Sequence, residues 1–390
     1  MIRMKPNRLA LLLAALAAML SPAAAQDPTN PAAVSENAIT APPLRPSIVL
    51  VQFHGLGYGD LSCYGQKLFQ TPNLDQLAAE GVRFENYFAG NIGTTPSPGV
   101  LMHGKTAAPA GGEPTLAQRL QQAGYRTGLI GEWGLGDEPW KQGFGEFCGF
   151  LDDEQGRNYF AERIRRFAPR AWITDSNTLI DYNDWEAIHA NTGGQKGRYL
   201  PELLVNAACT WINANFSDQF NNHRPFFLLL NLPAPRSAHA GTDEFTVTSD
   251  APFSDEKWPP AAKNRVALIT RLDAGIGKIA AQLAANRLTN EVLFIVTSSA
   301  PPEPFANTNL NFLRPNGNLS AATDRAGAPL PFIARWTGTI PPGQTNAASI
   351  SAADLLPTVL ELIGQKVPEQ AVGRSLLPAF TGETGEKKNR

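Results

Sequence analysis

The chain has 390 residues, 33 Lys and Arg against 35 Asp and Glu, and a formal net charge of −2. That balance offers no basic face, which argues against a nucleic-acid partner. The length suits one large domain, or one domain with a small appendage.

Residues 1–25 have the pattern of a secretion signal. Arg3, Lys5 and Arg8 form a positive start, and Leu9 to Leu20 is an apolar run too short to span a bilayer. Pro22-Ala23-Ala24-Ala25 supplies small residues for cleavage after Ala25. An exported protein, periplasmic or extracellular, is expected, with no transmembrane segment after cleavage. Taking Arg3, Lys5 and Arg8 from the 33 basic residues leaves 30 against 35 acidic ones, a net charge of −5. Residues 26–45 are rich in Ala, Pro, Asn and Thr without periodicity and read as a flexible linker. The domain is expected over 46–380, with a polar tail over 381–390.

From Pro46 onward, apolar runs of strand length alternate with amphipathic stretches of helix length. This is the pattern of a mainly parallel sheet with helices on both faces, an α/β fold. Buried strands are predicted at Ile48–Phe53, Arg126–Ile130, Phe226–Leu230, Val292–Thr297 and Phe332–Trp336, all apolar on consecutive positions. Helices are predicted at Asn73–Glu80, Thr115–Ala123, Leu200–Asn215, Lys263–Ala285 and Ala352–Ile363. The longest carries Val266, Ile269, Leu272, Ile276, Ile279 and Leu283 at spacings of three and four, one apolar stripe for the sheet. Cys63, Cys148 and Cys209 allow one disulfide and a free thiol, or three buried thiols; their spacings match no zinc motif, which favours buried thiols.

Several stretches, in order, resemble the sulfatases of the alkaline phosphatase superfamily. They are Ile48–Phe53 running into Leu56-Gly57-Tyr58-Gly59-Asp60, Thr71-Pro72-Asn73-Leu74-Asp75, Leu77 to Phe84, Gly131-Glu132-Trp133-Gly134-Leu135-Gly136 and Pro225 to Pro235. Leu272 to Gly277, Phe294 to Ser299, Pro331 to Trp336, Asp354 to Thr358 and Gly373 to Leu377 complete the series. The resemblance implies an alkaline-phosphatase-like fold. The small C-terminal antiparallel subdomain of that family is expected to be absent or reduced, because the likeness stops near Phe380.

The resemblance also implies a site whose residues have changed. In the family the first strand ends in two aspartates that bind a divalent metal; His54 and Gly55 stand in their place. Ser299 and Ala300 replace the late Asp-Asn pair. The segment matching C-S-P-S-R runs Thr94 to Pro98, so Thr94 replaces the cysteine that becomes formylglycine and Pro98 replaces the arginine. Glu132 occupies a lysine position, Gly134 a histidine position, and Arg236 the histidine position after Ala234-Pro235. The later lysine has no clear counterpart in Arg314 to Gly327. The Glu132 exchange alone turns attraction into repulsion toward sulfate; two unit charges at about 4 Å interact by about 4 kcal/mol at an effective dielectric near 20. No catalytic residue, cofactor or metal is therefore expected, and Ca²⁺ only if the family's metal site were retained.

The expected function is a binding or accessory role for an inactive, exported sulfatase-like protein. A glycan or sulfated anion in the remnant cleft, with Arg236 meeting the anion, and a protein partner are the ligand classes considered. The alternative is an active sulfuric- or phosphoric-ester hydrolase or transferase using Thr94 and perhaps His54. Thr94 otherwise reads as part of a Thr-Thr-Pro helix cap, and an unactivated hydroxyl is a poor nucleophile. A third reading is an assembly subunit beside an active sulfatase. His103, His189, His223 and His239 have no ligand spacing. Asp60 and Asp75 read as capping or turn residues, and Asp152 to Glu154 as a solvated loop. Trp133 and Trp185 are candidates for a sugar-binding cleft, with core packing as the ordinary alternative.

Overall fold

The computed structural model describes residues 45–90, 98–105, 113–172, 179–216, 223–239, 242, 244–304, 311–315 and 329–381. The secretion-type segment, nearly all of the linker, Thr94 and the tail beyond Thr381 lie outside them.

The strands are β1 (Ser47–His54), β2 (Val82–Phe88), β3 (Arg126–Glu132), β4 (Glu146–Phe150) and β5 (Arg163–Trp172), then β6 (Leu179–Ala187), β7 (Phe226–Leu232), β8 (Val292–Ala300), β9 (Leu330–Arg335) and β10 (Gln344–Ser351). They form one sheet in the order β10-β2-β9-β8-β1-β7-β3-β4-β5-β6. The five central strands, β8 to β4, run parallel, while β9 and the β5–β6 hairpin are antiparallel to their neighbours. All five predicted strands are present. Of the missed strands, β2 alternates buried and half-buried positions, β10 is mostly exposed, and β4 is a short run of five residues.

The helices are α1 (Pro72–Ala79), α2 (Pro98–His103), α3 (Leu116–Gln122), α4 (Asp153–Gly156), α5 (Leu200–Asn215), α6 (Pro260–Ala285), α7 (Leu355–Leu362) and α8 (Leu377–Phe380). Alternate residues of β1 feed two separate cores, as the two-residue period of a strand requires. Val49, Val51 and Phe53 pack with α1, α5 and α6, whereas Ile48 and Leu50 pack with α2, α3, α7 and α8. The α6 stripe from Val266 to Leu283 is fully buried, as its spacing predicts. α3 starts where Thr115 caps the Gln118 N–H at 3.0 Å, and the Gln118 side chain caps Thr115 in return.

Polar side chains tie the loop after β1 to this frame. Arg265 on α6 donates to both carboxylate oxygens of Asp60, at 2.6 Å each, and both residues are essentially unexposed. Asp60 also accepts the Gly57 N–H at 2.7 Å. The turn role read for Asp60 is thus only part of its work. Asp273, buried on α6, accepts the Leu74 N–H at 2.8 Å and so caps α1 from a different helix.

Candidate functional site

Because β8, β1, β7 and β3 are parallel, their C-terminal ends open at one edge of the sheet, where such folds gather functional side chains. His54 ends β1, and a bulge after Phe53 sets it opposite Ala300 of β8. Gly55 follows with φ of 91°, a left-handed conformation glycine adopts freely, and a Cβ there would lie 3.3 Å from the Pro235 carbonyl oxygen. The Ser299 hydroxyl donates to the Phe53 carbonyl at 3.2 Å, so it ties β8 to β1.

Glu132 ends β3 and Arg236 follows β7 after a cis Ala234–Pro235 bond. The Arg236 guanidinium donates to Glu132 Oε2 at 2.5 Å, with 0 % and 5 % of the two side chains exposed. Arg236 Nη1 lies 3.4 Å from His54 Nδ1. The Arg236 backbone is fixed by Tyr159, whose hydroxyl donates to its carbonyl at 3.0 Å. α4 closes over the pair through Gly156: a Cβ there would stand 2.9 Å from Glu132 Oε2 and 3.0 Å from Arg236 Nη2.

A second pair adjoins the first. Arg157, just past α4, donates to Glu303 Oε1 at 2.6 Å, and the Ser237 hydroxyl donates to Glu303 Oε2 at 2.9 Å. Arg157 Nη1 also donates to the Ser237 carbonyl at 3.0 Å. Burial pushes the Glu303 carboxyl up, but the hydrogen bonds from Arg157 and Ser237 and the Arg157 charge outweigh it and hold it below its ordinary value.

Burial, and then the Arg236 charge, lower the His54 pKa to about 3, so the imidazole is neutral at physiological pH. With the Arg236 donor facing Nδ1, the ring proton is assigned to Nε2. The 3.8 Å approach of His54 Nδ1 to Glu132 Oε1 is therefore not an ion pair. Burial raises the Glu132 carboxyl against the pull of Arg236, which is its counter-ion. The hollow holds two arginines, two glutamates and a neutral histidine, so its formal charges cancel.

The fit to a divalent metal follows from these donors. A hard cation needs several oxygen ligands. Gly55 and Ala300 offer no side-chain donor, the Ser299 hydroxyl brings no negative charge and points its proton at Phe53, and Glu132 already faces a cation. Among the described residues no group of three His, Cys, Asp or Glu side chains is arranged to hold a metal ion. The described residues at the strand ends do not fit a divalent metal.

The sulfatase family model matches residues 46–365. The chain belongs to the sulfatase family. It is 30 % identical to human arylsulfatase A over 379 residues, 86 % of this chain and 68 % of that protein. It is 27 % identical to an N-acetylgalactosamine-6-O-sulfatase of Bacteroides thetaiotaomicron, covering 84 % of this chain and 74 % of that one. Among solved structures, Ps i-CgsB in complex with k-i-k-neocarrahexaose superposes with a TM-score of 0.66 at 23 % identity, covering 87 % of this chain and 77 % of that chain. The family and the alkaline-phosphatase-like α/β fold read from the motifs are thus shown.

The structure brings together His54, Gly55, Glu132, Arg236, Ser299 and Ala300 at the strand ends. Gly134 lies just beyond, with φ of 70°. Pro98 opens α2, where a proline's missing N–H is tolerated, while Thr94 and residues 316–328 are outside the described residues. Read alone, Glu132 is a charge that repels sulfate and Arg236 a cation left to meet one; the geometry corrects both expectations, since each neutralises the other. Arg157, Ser237 and Glu303 were missed. The available signal was compensation: a family lysine position gains a negative charge while a histidine position gains a positive one.

The remaining candidates separate clearly. Trp133 is fully buried against Phe144 and serves the core. Trp185 is half-buried beneath Arg163. His103 is half-buried and held low by burial; His189, His223 and His239 are exposed. Asp75 accepts the Ser62 hydroxyl at 2.7 Å and the Cys63 N–H at 2.8 Å, a turn role as read. Asp152 caps α4 by accepting the Gln155 N–H at 2.9 Å. All three cysteines are free and half-buried, and burial pushes their thiols up, Cys148 to about 11. Among the described residues no helix is long and apolar enough to cross a membrane.

Proposed function

We propose that this chain is an exported sulfatase-family protein that no longer hydrolyses sulfate esters and instead binds an anionic glycan at the strand-end cleft. The observation that carries the loss of hydrolysis is the adjoining Arg236–Glu132 and Arg157–Glu303 pairs, which fill the strand ends with charges that already have partners. Sulfate-ester hydrolysis builds negative charge on oxygen and needs fixed donors aimed at it; losing one such donor costs about two to three powers of ten in rate. The charge of Arg236 is already balanced by a buried carboxylate, so it brings no uncompensated positive charge to such a transition state. The named relatives are sulfatases, so the loss proposed here is a departure within the family rather than a trait of it.

Support for the glycan comes from the N-acetylgalactosamine-6-O-sulfatase relative and from the neighbouring fold solved with neocarrahexaose. Support for export is the charged, apolar and small-residue order of residues 1–25. The direct test incubates purified protein with aryl sulfates and aryl phosphates in the presence of Ca²⁺, Mg²⁺, Mn²⁺ or Zn²⁺. Turnover no higher than buffer is expected. Metal-dependent turnover that disappears in Thr94→Ala overturns the inactive reading and establishes the rebuilt-site alternative.

A further inference from the structure

The β5–β6 hairpin carries two arginines on one face that do different work. Residues of one face recur every second position, so Arg163, Arg165 and Phe167 share it with Asn183 and Trp185, which pair with Phe167 and Arg165 across the ladder. Arg165 is half-buried, donates to Asn183 Oδ1 at 2.6 Å, and lies 5.9 Å from both the Trp140 and Trp185 ring centres. Trp140 in turn stacks on Phe167 at 4.9 Å. Arg165 is a brace. Arg163 is exposed, lies 5.0 Å from the centre of the Trp185 ring, and has no carboxylate at ion-pair distance among the described residues.

Arg163 and Trp185 line a concave cleft of about 250 Å³ with Phe150, Gln155, Asn158, Ala161 and Glu162. The Glu162 carboxylate is turned to the Gly194 N–H at 2.8 Å. The cleft opens at the same end of the sheet as the ion-pair hollow, because Phe150 ends β4 directly beside Glu132 of β3. Gln155 precedes Gly156, so α4 forms a wall common to both. From β3 to β6 is three strand spacings, roughly 14 Å.

We infer that this cleft is a subsite for an acidic sugar unit of an oligosaccharide, with the part of the Trp185 indole left uncovered by Arg163 and Arg165 against the sugar ring and Arg163 on a sulfate or carboxylate substituent; the Gln155 amide oxygen, whose nitrogen donates to Asp152, and the Asn158 amide nitrogen, whose oxygen accepts the Phe160 N–H, face hydroxyls. The inference rests on the glycan-binding reading above and names the part of the surface that carries it. An aromatic plate gives apolar contact with a polar edge. An arginine forks two N–H donors toward an oxyanion. A cleft with a few convergent polar groups is the ordinary form of a small-ligand site. The separation from Glu132 means that only a chain of several sugars touches both places.

The test is calorimetric titration with short and long dextran sulfate oligomers, and with unsulfated dextran oligomers of matching length. Wild type is expected to favour long sulfated oligomers. Arg163→Ala should weaken that binding roughly tenfold, leave weak binding of unsulfated oligomers unchanged, and leave the unfolding temperature unchanged. Arg163→Lys should restore part of the loss. Trp185→Ala should weaken both series, and Trp185→Phe should recover most of it. Arg165→Ala should lower the unfolding temperature, as a brace does. If wild type binds while Arg163→Ala and Trp185→Ala bind equally well, the subsite is refuted and the glycan reading stands. If wild type binds no sulfated oligomer, both fall together.

Discussion

Two buried arginine–carboxylate pairs lie close to the C-terminal end of β1, and they are built differently. Arg265 meets both oxygens of Asp60, and the Gly57 N–H takes a further place on the same carboxylate. Arg236 meets one oxygen of Glu132, whose other oxygen looks toward a neutral histidine, and a second arginine–glutamate pair stands beside it. The first pair is a closed clamp between a loop and α6, in a stretch where the sulfatase pattern is intact. The second occupies positions where the family pattern has changed, a lysine position now acidic and a histidine position now arginine. Under the inactive reading proposed above, the clamp maintains the path of the chain while Arg236 at the strand ends takes the place of an external cation.

The sharpest way to break that comparison is to remove the clamp. Arg265→Met or Asp60→Leu leaves a buried charge without its partner and should destabilise the fold by about 3–5 kcal/mol. The change is read as a lower urea midpoint at an unchanged slope. The double variant should stay well below wild type, because the Gly57 N–H then has no acceptor in a buried place, itself about 1–3 kcal/mol. Recovery to wild-type stability in the double variant means the clamp is no different from the site pair.

The site pair should behave otherwise. Glu132→Met leaves Arg236 near Glu303, which softens the loss, so about 2–3 kcal/mol is expected. Arg236→Met with Glu132→Met should return to within about 1 kcal/mol of wild type, since a buried ion pair and an apolar pair of similar volume are often equivalent. A double-mutant cycle measures this coupling directly. A double variant no better than the worse single one would make the pair a structural clamp after all.

These pairs also mark the limit of what the chain shows as text. The central strands were legible because β1, β7 and β8 are buried on both faces and read as unbroken apolar runs. β5 was not, since Arg163, Arg165 and Arg166 make it look like a charged loop until Trp140 and Trp185 supply faces for two of the guanidinium groups. The changed positions of the site were legible one at a time. Their partnership was not, because Glu132 and Arg236 lie 104 residues apart and only the β3–β7 neighbourhood brings them together. Asp60 and Arg265, 205 residues apart, were hidden for the same reason.

Acidification sharpens the contrast further. His54 belongs to the site and not to the clamp, and its folded-state pKa of about 3 lies below the ordinary 6.5. The folded protein therefore resists the proton that the unfolded chain accepts. That stability is present above the unfolded pKa and is lost as pH falls from there toward the folded value. Between pH 8 and pH 5 the loss is about 2 kcal/mol. Glu132 carries the opposite sign, because a raised carboxyl favours the folded state at low pH and ceases to do so as pH rises. The measurement is accordingly a difference: the pH profile of wild type minus that of His54→Gln. A flat difference over that range means His54 is not shielded as its burial and then the Arg236 charge require.

The smallest expected effect is the most pointed. A metal that binds only the folded state raises the unfolding temperature by mass action. Millimolar Ca²⁺ should produce no such shift in wild type, because the one carboxylate at the ends of β1, β3 and β8 is already paired with Arg236. Returning carboxylates by His54→Asp with Gly55→Asp should still give no Ca²⁺-dependent shift. Gly55 has φ of 91°, so a side chain there costs about 1–2 kcal/mol of folding stability. More decisively, Arg236 remains, and a like charge about 4 Å from a divalent ion opposes it by several kcal/mol at an effective dielectric near 20. Adding Arg236→Gln removes that charge and frees Glu132, and a Ca²⁺-dependent rise should then appear. A shift already present in wild type would mean that the arginine does not hold the cation's place, and the separation between clamp and site would lose its chemical basis.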